Sequence, residues 1–158
     1  MKKYLLIALV SFFLVNCSSD DSGSSTITSN IKIDAVNFVP NKLTVSDASN
    51  EQEGSLVFAL TKSSTQESIV VKINYPLNSS SAPNGTYDFG IGETGTMLFA
   101  QGSYTKNNKF YSLAGYTVKV TKTGENNKFK LEFQNVQAVE INTANMILIT
   151  GSCEGTFN

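Results

Sequence analysis

Apolar residues fall into two patterns along this chain: one dense run near the N-terminus and, beyond residue 30, repeated alternation with polar residues. No segment after residue 30 keeps the i, i+3, i+4 spacing of an amphipathic helix, whereas period-2 runs return between clusters of Gly, Asn, Ser and Thr. Successive side chains of a strand point to opposite faces, so each such run predicts a β-strand with one face in a core. The chain is expected to be all-β. The clearest unit pairs 116–123 with 128–136. Tyr116, Val118 and Val120 share one face, as do Phe129, Leu131 and Phe133, and Gly124, Glu125, Asn126 and Asn127 form a turn tolerant of positive φ. A second hairpin is expected from Leu56, Phe58 and Leu60 followed by Ile69, Val71, Ile73 and Tyr75, joined through 62–68.

Less regular strands are expected at 31–38, 43–46, 86–90, 96–104, 109–113 and 145–157, giving about eight to ten in all. Pro40, Pro76 and Pro83 fall between runs, where a missing amide donor costs no ladder bond. Short connections favour sequential antiparallel pairing, the arrangement of an antiparallel β-sandwich; a partly closed, lipocalin-like β-barrel is the alternative. The sandwich is preferred because short strands interrupted by Gly close a barrel less readily than long even ones. Met97-Leu98-Phe99-Ala100 and Met146-Ile147-Leu148-Ile149 are apolar on both faces. Such strands are expected to be covered on both sides. Left open, they would offer a partner an apolar strip.

The N-terminal run has a different meaning. Lys2 and Lys3 precede 11 residues, Leu5 to Val15, too few for a bilayer span of about 20 but suited to an export signal. Leu14-Val15-Asn16-Cys17 resembles the lipobox of bacterial lipoproteins, which implies removal of residues 1–16 and acylation of Cys17, palmitate included. Ser18-Ser19-Asp20-Asp21-Ser22 resembles the acidic export signal of surface-exposed Bacteroidota lipoproteins. The expected address is the outer membrane, lipid-anchored and facing the cell surface. Two or more acyl chains hold a protein stably, at about 0.8 kcal/mol per buried methylene. Residues 17–30, Ser-rich and poor in apolar groups, are expected to be a tether, and 31–158 the domain.

Composition narrows the chemistry. The 158 residues include 12 Lys, no Arg, no His, no Trp and two Cys. Ser-His-Asp and Cys-His catalysis, His-based zinc sites and bidentate Arg clamps all lack their principal residue. A net charge of -1 supplies no basic field for nucleic acid. Removal of Lys2 and Lys3 leaves 10 Lys against 13 acidic residues, net -3, so membrane attachment rests on acyl chains and not on charge. With Cys17 acylated, Cys153 has no partner in the chain; in phase with Ile147, Ile149 and Phe157, it is expected to be a buried core thiol. The cluster Asp47, Asn50, Glu51 and Glu53 lacks the spacing of a calcium loop and reads as a solvated turn, so no metal or cofactor is assigned. Asp34, Asp88, Glu93, Glu132, Glu140 and Glu154 are further candidate carboxylates in or beside the domain. A glycosidase needs two roughly 5 to 9.5 Å apart, and no pair is nominated, so no catalytic residue is assigned and a hydrolase is the weakest reading.

The segments Gly85-Thr86-Tyr87-Asp88-Phe89, Gly115-Tyr116-Thr117-Val118, Lys128 to Phe133 and the closing Thr150-Gly151-Ser152-Cys153-Glu154-Gly155-Thr156-Phe157 look like those of small Bacteroidota lipoproteins of uncharacterised function. That resemblance implies a lipid anchor followed by an all-β domain, and transfers no catalytic residue. Binding, of a glycan or an envelope protein, is the leading expectation; a structural or assembly subunit of an envelope complex is the alternative. Sugar recognition without Trp must use Tyr or Phe. The richest stretch, 103–116, supplies Tyr104, Tyr111 and Tyr116 as ligand-binding candidates. Adjacent Phe110 and Tyr111 must face opposite ways, and the outer ring is the contact candidate.

Overall fold

The computed structural model describes residues 26–90 and 92–158, so the expected export segment, Cys17 and the expected tether as far as residue 25 lie outside the described residues. Twelve strands follow one another: β1 (Thr28–Ser29), β2 (Lys32–Ile33), β3 (Val36–Asn37), β4 (Lys42–Asp47), β5 (Glu53–Lys62), β6 (Glu67–Pro76), β7 (Gly85–Phe89), β8 (Phe99–Lys106), β9 (Lys109–Ala114), β10 (Thr117–Lys122), β11 (Lys128–Glu140) and β12 (Met146–Thr156). Among the described residues the only helical turn is the 3-10 turn Ser63–Thr65. The all-β class predicted by the alternation is what the backbone forms.

All twelve strands join one mixed sheet in the order β3-β2-β12-β11-β10-β7-β8-β6-β5-β4, with β1 beside β12 and β9 between β11 and β8. Both predicted hairpins form, with Val118 paired with Phe133 and Val120 with Leu131, Phe58 with Val71 and Leu60 with Ile69, but Tyr116, expected on the face of Val118 and Val120, precedes the strand and is exposed. Asn126 and Asn127 take φ of 55° and 56° in the first turn, as their side chains tolerate. The strand count exceeds the expected eight to ten partly because 31–38 is not one strand. Asp34 and Ala35, at φ 47° and 67°, make a two-residue turn between β2 and β3 without the usual Gly. Thr28 and Ser29 pair with Glu154 and Cys153, and the Asn30 side chain accepts the Ser152 amide. Residues 28–30, expected in the tether, therefore belong to the sheet.

One pairing departs from the antiparallel expectation: Asp88 and Phe89 of β7 run parallel to Phe99 and Ala100 of β8. The cause lies at Gly115 and Tyr116, whose φ of 64° and 60° kink the chain between β9 and β10. β9 pairs with both β8 and β11, but beyond the kink β10 pairs with β11 and β7. β7 fills the wedge that opens between β8 and β10. β11 follows both partners through an irregularity between Phe133 and Val136, where Asn135 takes φ 57°.

Strands far apart in the sheet order meet across the core. Phe58 of β5 lies 5.1 Å from Phe129 of β11 and 5.3 Å from Phe157, ring centre to ring centre, and Phe129 and Phe157 are 6.0 Å apart. All three contacts are edge-to-face, the favoured geometry of aromatic pairs. The sheet thus folds over so that its halves face each other, sandwich-like, around one core that includes Ile31, Phe38, Ile69, Leu131, Ile149 and Cys153. The chain end pins the seam: Asn158 donates to Leu43 O at 3.1 Å, and Val45 donates to Asn158 O at 3.2 Å.

A single folded layer gives most strands only one covered face, so the expected double cover holds at Phe99 and Ala100 but fails at Met97 and over much of 146–149. Phe99, Ala100 and Ile149 are buried and Leu98 and Ile147 half-buried, but Met97, Met146 and Leu148 are exposed.

Candidate functional site

Two carboxylates sit in the wrong phase for solvent. Glu67 follows the core-facing phase of Ile69, Val71 and Ile73, and Glu140 that of Val136 and Ala138; both are buried. A carboxylate taken out of water needs charged or hydrogen-bonding partners. The β8–β9 hairpin supplies them. Its turn, Asn107 and Asn108 at φ 50° and 61°, sets Lys106 opposite Lys109. Lys106 Nζ lies 3.0 Å from Glu67 Oε1, and Lys109 Nζ lies 3.2 Å from Glu140 Oε1. Glu140 Oε2 also accepts Thr143 Oγ1 at 2.7 Å and Asn145 Nδ2 at 3.4 Å. The Thr143 hydrogen bond, with help from Lys109 and Asn145, holds the Glu140 carboxyl below its ordinary value.

Tyr104 and Tyr111 stand directly opposite each other on this hairpin, ring centres 5.5 Å apart and planes tilted by 37°. The Tyr104 hydroxyl donates to Glu67 Oε2 at 3.4 Å. Burial, then the nearby Glu67 charge, pushes the Tyr104 phenol well above its ordinary value, so it stays a neutral donor. Beside this pair a cleft of about 390 Å³ opens between the β2–β3 turn, the Ser63–Thr65 turn and the β8–β9 hairpin. Ile33, Val36, Phe38 and Ile147 complete its apolar lining, while Asp34, Lys62, Glu67 and Lys106 bring charge to it. Asp34 Oδ1 is partly committed, since it accepts the Leu148 amide at 2.9 Å.

Of the three tyrosines singled out by sequence, the structure brings Tyr104 and Tyr111 together and leaves Tyr116 apart. Tyr116 is exposed at the kink between β9 and β10, where its carbonyl accepts the Phe89 amide at 2.9 Å. Tyr104 and Tyr111 are 1% and 9% exposed, so they form a wall and not an open stacking platform. The outward ring of the Phe110–Tyr111 pair is Phe110, 47% exposed, because Tyr111 is in phase with buried Leu113. Sequence reasoning missed Glu67 and Lys106. The available signal was the phase of Glu67, a carboxylate continuing a core-facing apolar alternation.

Several other reactive groups are engaged in structure. Glu132 pairs with Lys130 at 3.0 Å and Glu154 with Lys128 at 3.5 Å. In the 47–53 turn Asp47 Oδ1 accepts the Ser49 amide at 2.8 Å, and Asn50 Oδ1 accepts those of Gln52 and Glu53 at 2.8 and 3.0 Å. The Ser49 hydrogen bonds hold the Asp47 carboxyl below its ordinary value. Cys153 is buried, and burial pushes its thiol up to about 11, leaving negligible thiolate at neutral pH.

A second surface feature lies on the outside of β9, β11 and β12. Phe110 O accepts the Ile141 amide at 3.2 Å, Ser112 pairs with Val139, and Val139 pairs with Met146. Phe110, Ile141, Met146 and Leu148 are all exposed. Comparison of the chain with protein-family models, with curated proteins and with solved structures found no match in any of the three.

Proposed function

We propose that the chain is a non-enzymatic outer-membrane lipoprotein, anchored through acyl chains on Cys17 and facing the cell surface, whose β domain binds a glycan in the cleft beside Tyr104 and Tyr111. The observation that carries the binding reading is the composition of that cleft. Its volume of about 390 Å³ suits a small-molecule site, and it joins an apolar lining to donors on Lys62 and Lys106 and acceptors on Asp34 and Glu67. A sugar offers the complement: a C–H face for apolar walls and hydroxyls that both donate and accept. The anchor rests on Leu14 to Cys17, and the outward address on the acidic stretch after it.

Mass spectrometry of the mature N-terminal peptide should find acylated Cys17; a free Cys17 there removes the anchor. Protease added to intact cells should digest the domain, and survival until lysis would place it on the periplasmic side. On a glycan array the wild-type domain should retain a sugar that Lys62→Ala with Lys106→Ala releases. Retention unchanged in that double variant would exclude the cleft.

A second reading, a structural or assembly subunit of an envelope complex, is favoured by the exposed Phe110, Ile141, Met146 and Leu148. Exposed apolar patches of this kind mark contact surfaces. A stoichiometric protein partner in detergent extracts, lost in Phe110→Ser with Met146→Ser, would support it over glycan capture.

A further inference from the structure

The outer ends of β5 and β6 carry a group of polar side chains that neither reading uses. Phe58 opposite Val71 and Leu60 opposite Ile69 face the core, so Ser55 opposite Asn74 faces away from it, and Glu53 shares the Ser55 side of β5. Farther along that outer face Val57 and Lys72 are half-buried. Yet Glu53, Ser55 and Asn74 are only 6%, 0% and 1% exposed. Residues 92–98, ahead of β8, supply the cover. Phe99, paired with Asn74, is buried, and Gly92 lies so close to its ring that a Cβ would overlap it. Gly95, at φ +75°, rests on the Gln52 carbonyl; a Cβ there would lie 2.8 Å from the oxygen.

Beneath this cover Glu53 Oε2, Ser55 Oγ, Asn74 Oδ1 and Asn74 Nδ2 have no hydrogen-bond partner. Buried polar atoms are almost always partnered, and a buried carboxylate most of all. Glu53 differs from Glu67 and Glu140, the other buried carboxylates, each of which meets a lysine. A neutral occupant would leave its charge uncompensated. The unmet acceptors are all hard oxygens, from a carboxylate, a hydroxyl and a carboxamide, which is the ligand chemistry of calcium and magnesium. Calcium tolerates the mixed and irregular oxygen sets that magnesium refuses.

We propose that Glu53, Ser55 and Asn74 hold a calcium-class divalent cation beneath the 92–98 segment, through Glu53 Oε2, Ser55 Oγ and Asn74 Oδ1. Bound there, the ion neutralises Glu53 and joins the outer ends of β5 and β6. Asn74 Nδ2 is left to donate to the second Glu53 oxygen. Only one acidic residue takes part, so the site is not an acidic cluster; Asp47 and Glu51 of the neighbouring turn lie outside it and are exposed. The inference is independent of the cleft and of the lipid anchor.

The test is calcium titration of the chelator-treated full-length protein, followed by calorimetry and thermal melting, with magnesium in parallel. The expected result is one saturable calcium site, a raised melting temperature, and at least tenfold weaker binding in Glu53→Gln, with Glu51→Gln unchanged. Asn74→Asp adds a second carboxylate; it should melt lower than wild type without calcium and recover more on adding it. Absence of heat and of a melting shift with either cation in the wild-type protein would overturn the proposal. So would binding that Glu53→Gln retains in full, binding that Glu51→Gln abolishes, or an Asn74→Asp variant that calcium does not rescue.

Discussion

Phe58 is the most direct probe of how the two halves of the sheet are held together. It is fully buried and makes edge-to-face contacts with Phe129 and Phe157, strands away in the sheet order. Phe58→Ala removes the ring and leaves a cavity, a change that costs roughly 3–5 kcal/mol in well-packed cores. Phe58→Leu keeps most of the volume and loses the two aromatic contacts, each worth about 0.5–1.5 kcal/mol, so about 2 kcal/mol is expected. At roughly 4 °C per kcal/mol for a domain of this size, the alanine variant should melt about 15 °C lower. Urea denaturation followed by far-UV circular dichroism gives both values, and Phe110→Ala, on the exposed face, serves as control with an expected change within about 0.5 kcal/mol. A cycle with Phe129→Leu should show coupling of about 1 kcal/mol. If Phe58→Ala cost no more than Phe110→Ala, or the coupling were zero, the halves would not be packed through this ring.

Three further outcomes follow from local geometry. Gly151 sits at φ +95° with the Asn30 carbonyl 2.5 Å from where a Cβ would stand; Gly151→Ala should cost about 2 kcal/mol and expose the 26–33 segment to limited proteolysis, whereas an unchanged digestion pattern would show that the β1–β12 junction does not depend on this glycine. The Glu140 carboxyl is depressed below its ordinary 4.5, first by the Thr143 hydrogen bond, so its stabilising contribution is present above pH 4.5 and is lost as pH falls through the lower folded-state value. Thr143→Val should therefore lower stability at pH 7 and approach wild type near pH 3 in denaturant titrations, and an equal deficit at both values would contradict the assignment. Native Cys153, with its thiol raised to about 11, should resist a disulfide reagent at pH 8 and react at once in denaturant; rapid native labelling would mean that the thiol is reached from solvent.

Much of the fold was legible because alternation reports local physics. Phe58, Leu60, Ile69, Val71 and Ile73 repeat every second residue, and burying them on one side fixes which face of β5 and β6 is inward. The Asn126–Asn127 turn was legible for the same local reason, since asparagine tolerates positive φ. The Asp34–Ala35 turn was not, because alanine at φ 67° is held there by pairing on both sides and not by its own preference. At the candidate site the aromatic stretch 103–116 pointed to the right hairpin. Which rings meet was decided by register, so Tyr104 and Tyr111 stand together with Glu67 while Tyr116 turns away.

By itself the sequence determined strand class, inward phase, the two main hairpins and the chemistry that no His or Arg is present to perform. Tertiary structure alone decided that β7 runs parallel to β8, that one sheet folds over its own core, and that the β2–β3 and β8–β9 turns converge on a cleft. It also decided that Met146 and Leu148 are open to solvent while Ser55 and Asn74, outward by phase, are sealed under a loop. The physical reason is one of range: a side chain's phase is set by its immediate neighbours, but its cover is set by residues remote in sequence, and alternation carries no information about which remote segment arrives.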